Sequence, residues 1–344
     1  MSPLPQPRPY SEPHAAEAKT RLDALAKPPG SLGKIEAVAA WWCGATGRCP
    51  PLAPTRPRAY VFAGDHGVTA QGVSPYPSAV TALMIQNFLG GGAAINQFAA
   101  HYGVQLVVVN VGVAADLGDL GDTAYAHFLD RRIAPGTADF TQGPAMSRAD
   151  AEAAVRVGIA CAEDAAGEGV DVLAAGEMGI GNTTSAAAIL SAIACVPGKL
   201  SAGRGTGVDD AGLARKIRVI DQGIALHQPR RDDGFGVLSA VGGFEIAAIA
   251  GLCVGGAALG IPVVIDGFIS TAGALVASVL SPGCVQNLMV SHRSAENGHW
   301  AMSRYLQREP IHDLDMRLGE GVGAVMAIDT IRLAVRVLNG MAVL

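Results

Sequence analysis

Five short apolar runs each stop at a cluster of glycines and polar residues. They are Tyr60-Val61-Phe62 before AGDHG, Leu106 to Val109 before NVG, Val170 to Leu173 before AAGEMGIGN, Pro262 to Ile265 before DGF, and Val285 to Val290 before SHRS. The runs are continuously apolar rather than alternating, which marks strands buried on both faces. Stretches of helical pattern separate them: Ser78 to Phe88, Asp150 to Ala166, Thr184 to Ala194, Asp210 to His227, Phe244 to Leu259 and Ser270 to Val279. Strands alternating with helices predict an α/β fold with a doubly wound parallel sheet. Composition agrees: the 344 residues are 50% apolar and only 16% charged, with 44 glycines. Such a chain buries a large core and does not belong to the disordered class.

The chain ends read differently. Ala15 to Leu25 and Ile35 to Trp42 are helical in pattern around the turn KPPGSLG, and Gly321 to Leu338 is a long amphipathic helix. Residues 14–45 and 294–344 therefore predict a small helical domain built from both ends. It would pack on a large sheet domain over 46–293. Residues 1–13 are proline-rich and predict a disordered or extended arm, not a signal peptide. The uncharged run Ile246 to Ile265 has the length of a bilayer span. Gly255-Gly256, Gly260 and Pro262 interrupt it, so it reads as a buried helix, a turn and a buried strand. Six cysteines without a CxxC pair read as buried thiols in a reducing compartment, which predicts a cytoplasmic protein. Eight histidines without HxH or HExxH offer no metal site. A formal charge of -5 gives no basic footprint for nucleic acid.

Ligands of open parallel sheets bind beyond the carboxyl ends of the strands. Those ends carry Asp65, His66, Glu177, Asp266 and Ser291-His292-Arg293. Any one alone reads as a cap or a satisfied core group. Several acids at one sheet edge point to a cleft that shifts their pKa values. GEMGIGNTT (176–184) runs from a strand into an alanine-rich helix. The amides near Gly179 and Gly181, with Asn182 or Thr183 as cap, suit an anion, although this is neither a Walker motif nor a dinucleotide fingerprint. GRGTGVDD (203–210) supplies Gly205 ahead of a helix carrying Lys216, and the two loops together fit a phosphorylated ligand. Ordinary strand–helix turns remain the plain alternative for each. LGEGVGA (318–324) sets Glu320 at the mouth of a helix, where simple dipole pairing is the alternative. After GVSPYPS (72–78), Tyr76, Leu83, Met84 and Phe88 would line a slot for a flat aromatic ligand, with Ser78 or Gln86 as polar contacts. A plain core stripe is the alternative.

KPPGSLGKIE (27–36), FAGDHGV (62–68), GVSPYP, GGAAIN (91–96) and GEMGIGNTTSAAA occur in that order, followed by GRGTGVDD, VGGFEIAAIAG (241–251), DGFISTAGAL (266–275), SHRSAENGH (291–299) and LGEGVGA. From about residue 20 onward the chain resembles the nicotinate-nucleotide–dimethylbenzimidazole phosphoribosyltransferase family. The resemblance implies a Rossmann-like sheet of six parallel strands and a small helical domain from both termini. It implies a homodimer whose sites are each closed by the partner's small domain. It also implies phosphoribosyl transfer from nicotinate mononucleotide to 5,6-dimethylbenzimidazole, giving α-ribazole 5'-phosphate and nicotinate for cobalamin nucleotide-loop assembly, with no cofactor or metal. Motif match makes Glu320 the general base and has Glu177 orient the ribose or stabilise its positive charge. Gly179, Gly181, Asn182, Thr183, Gly205, Lys216, Asp266 and Ser291 are expected around the nucleotide, and Ser78, Met84, Gln86 and Leu318 around the base. The rival readings are another nucleotide-processing enzyme on the same sheet, and a nucleotide-binding protein without turnover. A dehydrogenase lacks the fingerprint after the first strand.

Overall fold

The computed structural model describes residues 3–344. Six strands form one parallel sheet: β1 (Pro57–Gly64), β2 (Gln105–Gly112), β3 (His127–Asp130), β4 (Val172–Met178), β5 (Val263–Ile265) and β6 (Leu288–Val290). Their order is β3-β2-β1-β4-β5-β6, the doubly wound arrangement of Rossmann-like folds. Helices α1 (Glu12–Asp23) and α2 (Lys34–Thr46) precede the sheet, and α3 (Ala79–Leu89) and α4 (Ala94–Tyr102) join β1 to β2. α5 (Arg148–Gly167) leads to β4. Then α6 (Asn182–Ala194), α7 (Gly198–Ser201), α8 (Asp210–His227), α9 (Gly234–Val241) and α10 (Phe244–Leu259) lead to β5, and α11 (Phe268–Leu280) to β6.

Alternate residues of each strand serve opposite cores, which is why the strand runs are continuously apolar. Tyr60 and Phe62 of β1 join Leu173 and Ala175 of β4 in a core shared with α5, α6, α10 and α11. Ala59, Val61 and Ala63 join Val172 and Ala174 in a second core with α1, α2, α3 and α4. The membrane-length run has become α10 and β5, joined through a left-handed Gly260. Among the described residues no helix is long and apolar enough to cross a membrane.

Beyond β6, β7 (His292–Arg293) and β8 (His312–Asp313) pair in parallel around α12 (Asn297–Leu306), and α13 (Val322–Gly340) closes the chain. The tail expected to be helical from 294 onward thus contributes one strand, β8, to a two-residue ladder. Helices α1, α2 and α13 pack together, whereas α12 packs on α6, α7 and α11 of the sheet layer. Leu25 and Val343 form an antiparallel bridge that ties the two chain ends. Of the proline-rich arm, residues 12–13 already belong to α1, and the described residues before them pack on the domain: Arg8 N–H donates to the Ala257 carbonyl at 2.9 Å, and Tyr10 abuts Gly44. Cys43, Cys161, Cys253 and Cys284 are buried, but Cys195 is exposed at the left-handed end of α6.

β3 has no apolar run to announce it, because a short edge strand with exposed ends needs none. β4 runs past Leu173 to Met178, since parallel pairing with β1 continues to Ala63↔Met178. Glu177 therefore lies within a strand rather than in a loop.

Helices α5 and α10 cross backbone to backbone. A Cβ on Gly158 would collide with the Ala248 carbonyl, and one on Gly251 with the Val155 carbonyl. Gly158→Ala is expected to lower unfolding stability in urea by about 2–3 kcal/mol by forcing the helices apart. Gly167→Ala, in the last turn of α5 with open space beside it, is expected to leave the urea midpoint unchanged or slightly raised.

Candidate active site

A cavity of about 360 Å³ opens beyond the carboxyl ends of β4, β5 and β6. Strand pairing carries Glu177 to its floor, opposite Phe62 of β1. The Asn182 side-chain amide, in the first turn of α6, donates to Glu177 Oε2. Burial raises the Glu177 carboxyl to about 8, helped by the charges of Asp266 and Glu245 and opposed by Asn182.

The facing wall is the segment before α13. Gly319, Glu320 and Gly321 are all left-handed, with φ of 86°, 62° and 91°. Glycine adopts this freely, whereas glutamate does so at a cost of order 1 kcal/mol. A Cβ on Gly319 would collide with Glu177 Oε1, so the Glu177 carboxyl lies against this turn. Glu320 Oε2 accepts the Ile95 N–H at 3.2 Å from the first turn of α4. Burial raises the Glu320 pKa. The Ile95 N–H opposes the rise and the Asp266 charge adds to it.

Asp266 holds this turn in place. Its Oδ1 accepts the N–H groups of Gly323 (2.8 Å) and Ala324 (3.1 Å), and its Oδ2 that of Gly321 (3.2 Å). The carboxyl is fully buried, and burial raises its pKa despite His292 at 3.7 Å and the three N–H donors. Asp266 was expected at the nucleotide. Its oxygens are instead committed to the α13 N-terminus, and it does not line the cavity. Ser291 is likewise set back, donating to the Asp266 carbonyl at 3.2 Å. His292, Ser294 and Glu296 face the cavity in its stead. The spacing of two between His292 and Ser294 is the signal of an extended segment, and it was there to be read. His299 sits behind them: it accepts the Ser294 N–H and meets the Thr271 hydroxyl, and burial holds its pKa near about 3, so it is neutral.

Both glycine loops reach the cavity. Gly179, Asn182, Thr183, Gly205 and Thr206 line it, while Gly181 is turned behind, against Thr69 and His66. Lys216 lies behind Thr183 and donates to its hydroxyl at 2.8 Å. Burial lowers the Lys216 pKa to about 8 against the opposing charge of Glu296. The Gly205 N–H donates to Glu296 Oε1 at 2.8 Å. On the apolar side Met84 and Leu318 line the cavity with Tyr76, Val80, Met178, Ile180, Phe268 and Ile269. Ser78 pairs with the Thr69 hydroxyl at 3.0 Å, and neither it nor Gln86 lines the cavity. Phe88 is core and Leu83 is exposed, so the expected slot keeps only Tyr76 and Met84 of its four members. Beneath the floor, His66 bridges Glu245 (2.6 Å) and the Ser185 hydroxyl (3.0 Å). Among the described residues no group of three or more His, Cys, Asp or Glu is placed to hold a metal ion.

A doubly wound parallel sheet, two glycine loops backed by a lysine, and two buried acids facing one apolar-walled cavity define an enzyme that handles a phosphorylated ligand. The chain belongs to the phosphoribosyltransferase family, whose model matches residues 8–344. A relative from Chloroflexus aggregans, named nicotinate-nucleotide–dimethylbenzimidazole phosphoribosyltransferase, is 51% identical over 334 residues, covering 97% of this chain and 93% of the relative. One of the same name from Geobacter sulfurreducens is 48% identical over 328 residues, 95% of this chain and 91% of the relative. The crystal structure of CobT from Thermus thermophilus matches with a TM-score of 0.90 at 44% identity over 96% of each chain.

Asp266→Ala leaves three buried N–H groups without an acceptor and is expected to cost about 2–4 kcal/mol. Asp266→Asn keeps one carbonyl acceptor and is expected to lose less. Urea unfolding of the two variants checks the order.

Proposed function

We propose that this chain moves the phosphoribosyl group of nicotinate mononucleotide to 5,6-dimethylbenzimidazole, giving α-ribazole 5'-phosphate and nicotinate. The observation that carries the reading is that Glu177 and Glu320 line one apolar-walled cavity side by side, with Glu177 Oε1 against Gly319 and the Glu320 carbonyl packed on Gly176. An unprotonated benzimidazole nitrogen attacks ribose C1 on the face opposite nicotinate. The C1–N bond to the pyridinium breaks, its electron pair returns to the ring, and the leaving group departs without taking a proton. The nucleophile becomes cationic as its bond forms and must give up its N–H proton. Glu320 takes that proton, since burial has made its carboxylate more basic. Glu177, with its pKa near about 8, is largely protonated in the empty site at neutral pH. The pyridinium ring, a local positive charge on a nucleotide that is anionic overall, draws it towards the carboxylate, which then stabilises the positive charge that grows on the ribose. Lys216 supports the phosphate through Thr183 in the first turn of α6, with Gly179 and Gly205 at the cavity wall. Tyr76, Met84, Ile180 and Leu318 offer the flat base an apolar slot.

The same reading includes a cytoplasmic homodimer that closes each cavity with the partner's small domain. The exposure of Tyr76 (50%) and Leu318 (57%) in the cavity lining supports the shared closure.

Glu320→Gln is expected to cut turnover on the order of 100- to 10,000-fold with the unfolding midpoint preserved. A steady-state assay of ribazole phosphate reads this, and near-normal turnover overturns the base assignment. For the nucleotide, kcat/KM is expected to fall as pH rises through about 8, where Lys216 loses its proton. Glu177 ionises over the same range, with the opposite effect on binding of the pyridinium ring. Lys216→Ala separates the two: the alkaline fall disappears, and KM rises more for the nucleotide than for the base.

A further inference from the structure

The loop at Gly205 already holds an anion, and it comes from the chain itself. Glu296 Oε1 accepts the Gly205 N–H at 2.8 Å. Its Oε2 is buried without any hydrogen-bond partner. The carboxyl lines the same cavity as Thr183, Gly205 and Thr206. Only a glycine at 203 leaves room for it, because a Cβ there would collide with Oε2. Glu296 stands at the N-cap position of α12, yet its side chain does not cap that helix. Leaving Gly205 would therefore break one hydrogen bond and uncap nothing. A buried carboxylate oxygen without a donor is costly. Its position beside a backbone N–H and within the field of Lys216 is what a phosphate oxygen would seek.

We propose that Glu296 is a built-in anion that occupies the phosphate cradle of the empty enzyme and is displaced by the phosphate of the incoming nucleotide. The inference rests on the assignment of that cradle under Proposed function. A phosphate brings several acceptor oxygens and up to two charges, so it takes the Gly205 N–H, and the like charge expels the carboxylate. Glu296 is in this sense a positioning residue. It holds loop 203–207 in shape while the site is empty, and it lowers the apparent affinity for every phosphate-bearing ligand by competing from within the chain. Part of the nucleotide's phosphate binding energy goes into that displacement. A ligand without phosphate has no charge with which to perform it.

The test compares wild type with Glu296→Gln, which keeps a carbonyl acceptor for Gly205 but removes the charge. Inorganic phosphate is titrated by calorimetry, and KM is measured for nicotinate mononucleotide and for dimethylbenzimidazole. Removal of one like charge is expected to tighten phosphate binding roughly 3- to 30-fold. The nucleotide KM falls in step and the base KM stays. Gly203→Ala is an independent variant that evicts the carboxylate by volume rather than by charge, and it is expected to shift phosphate binding the same way. It serves also if Glu296→Gln folds poorly. Unchanged or weaker phosphate binding in a protein that still turns over the nucleotide overturns the proposal alone. A nucleotide KM that rises in Glu296→Gln makes Glu296 a substrate contact and also overturns it. If wild type neither binds phosphate nor turns over the nucleotide, the cradle assignment falls and this inference with it.

Discussion

Three backbone N–H groups at the start of α13 converge on one buried carboxyl, that of Asp266. A helix N-terminus is positive in effect, so it holds an acid that burial alone would disfavour. The contact joins the end of β5 to a helix contributed by the last residues of the chain. Without it the turn bearing Glu320 has no fixed height above the sheet. Glu177 is placed by strand pairing and Glu320 by this anchor, and the two meet because both are referred to the same central strands. The glycine contact between α5 and α10 plays the complementary part on the other face, where it brings one helical layer close enough to cover the strands completely.

Acid crowding is the electrostatic theme of the cavity. Burial raises Glu177, Asp266 and Glu320, and Asp266 raises both of the others. Such a group cannot ionise fully without a cation nearby. A pyridinium nucleotide supplies that cation on entry. Its loss as nicotinate, which carries a carboxylate, leaves an anion among acids. Under the proposed reaction the same charges that welcome the substrate hasten the departure of one product. Positive charge of the chain's own stands at Lys216 behind the wall and at Arg317 in the cavity lining, where its guanidinium donates to the Gly205 carbonyl at 3.4 Å.

Much of this was legible in the sequence, for local reasons. The limits of α8 and α10 follow from the Asp209 side chain that accepts the Gly212 N–H and from the left-handed Gly260. Glu320 and Glu177 stood out because the chain has few acids and because glycines surround both. Other features depended on neighbours far away in the chain. Asp266 and Ser291 looked like ligand contacts from their place at strand ends. Asp266 turns inward because the start of α13, more than fifty positions later, presents donors to it, and the Ser291 hydroxyl is held by the Asp266 carbonyl. Ser78 and Gln86 occupy a promising helix, but which of its faces looks at the cavity is set by its packing on the sheet, and that face carries Val80 and Met84. Glu296 was hidden by its position at the start of a helix, where an acid ordinarily needs no explanation.

The left-handed backbone at Glu320 has a consequence for how such a chain can change over generations. That conformation sits easily with glycine, and less often with asparagine or aspartate, among the twenty residues. Glycine has no carboxyl, and aspartate is shorter by one carbon. A lineage selected for firmness alone would therefore trade Glu320 away, because the substitution that relaxes the turn also removes the acid. Stability and activity pull in opposite directions at this one position. Its persistence in a working copy would mark selection on chemistry rather than on folding.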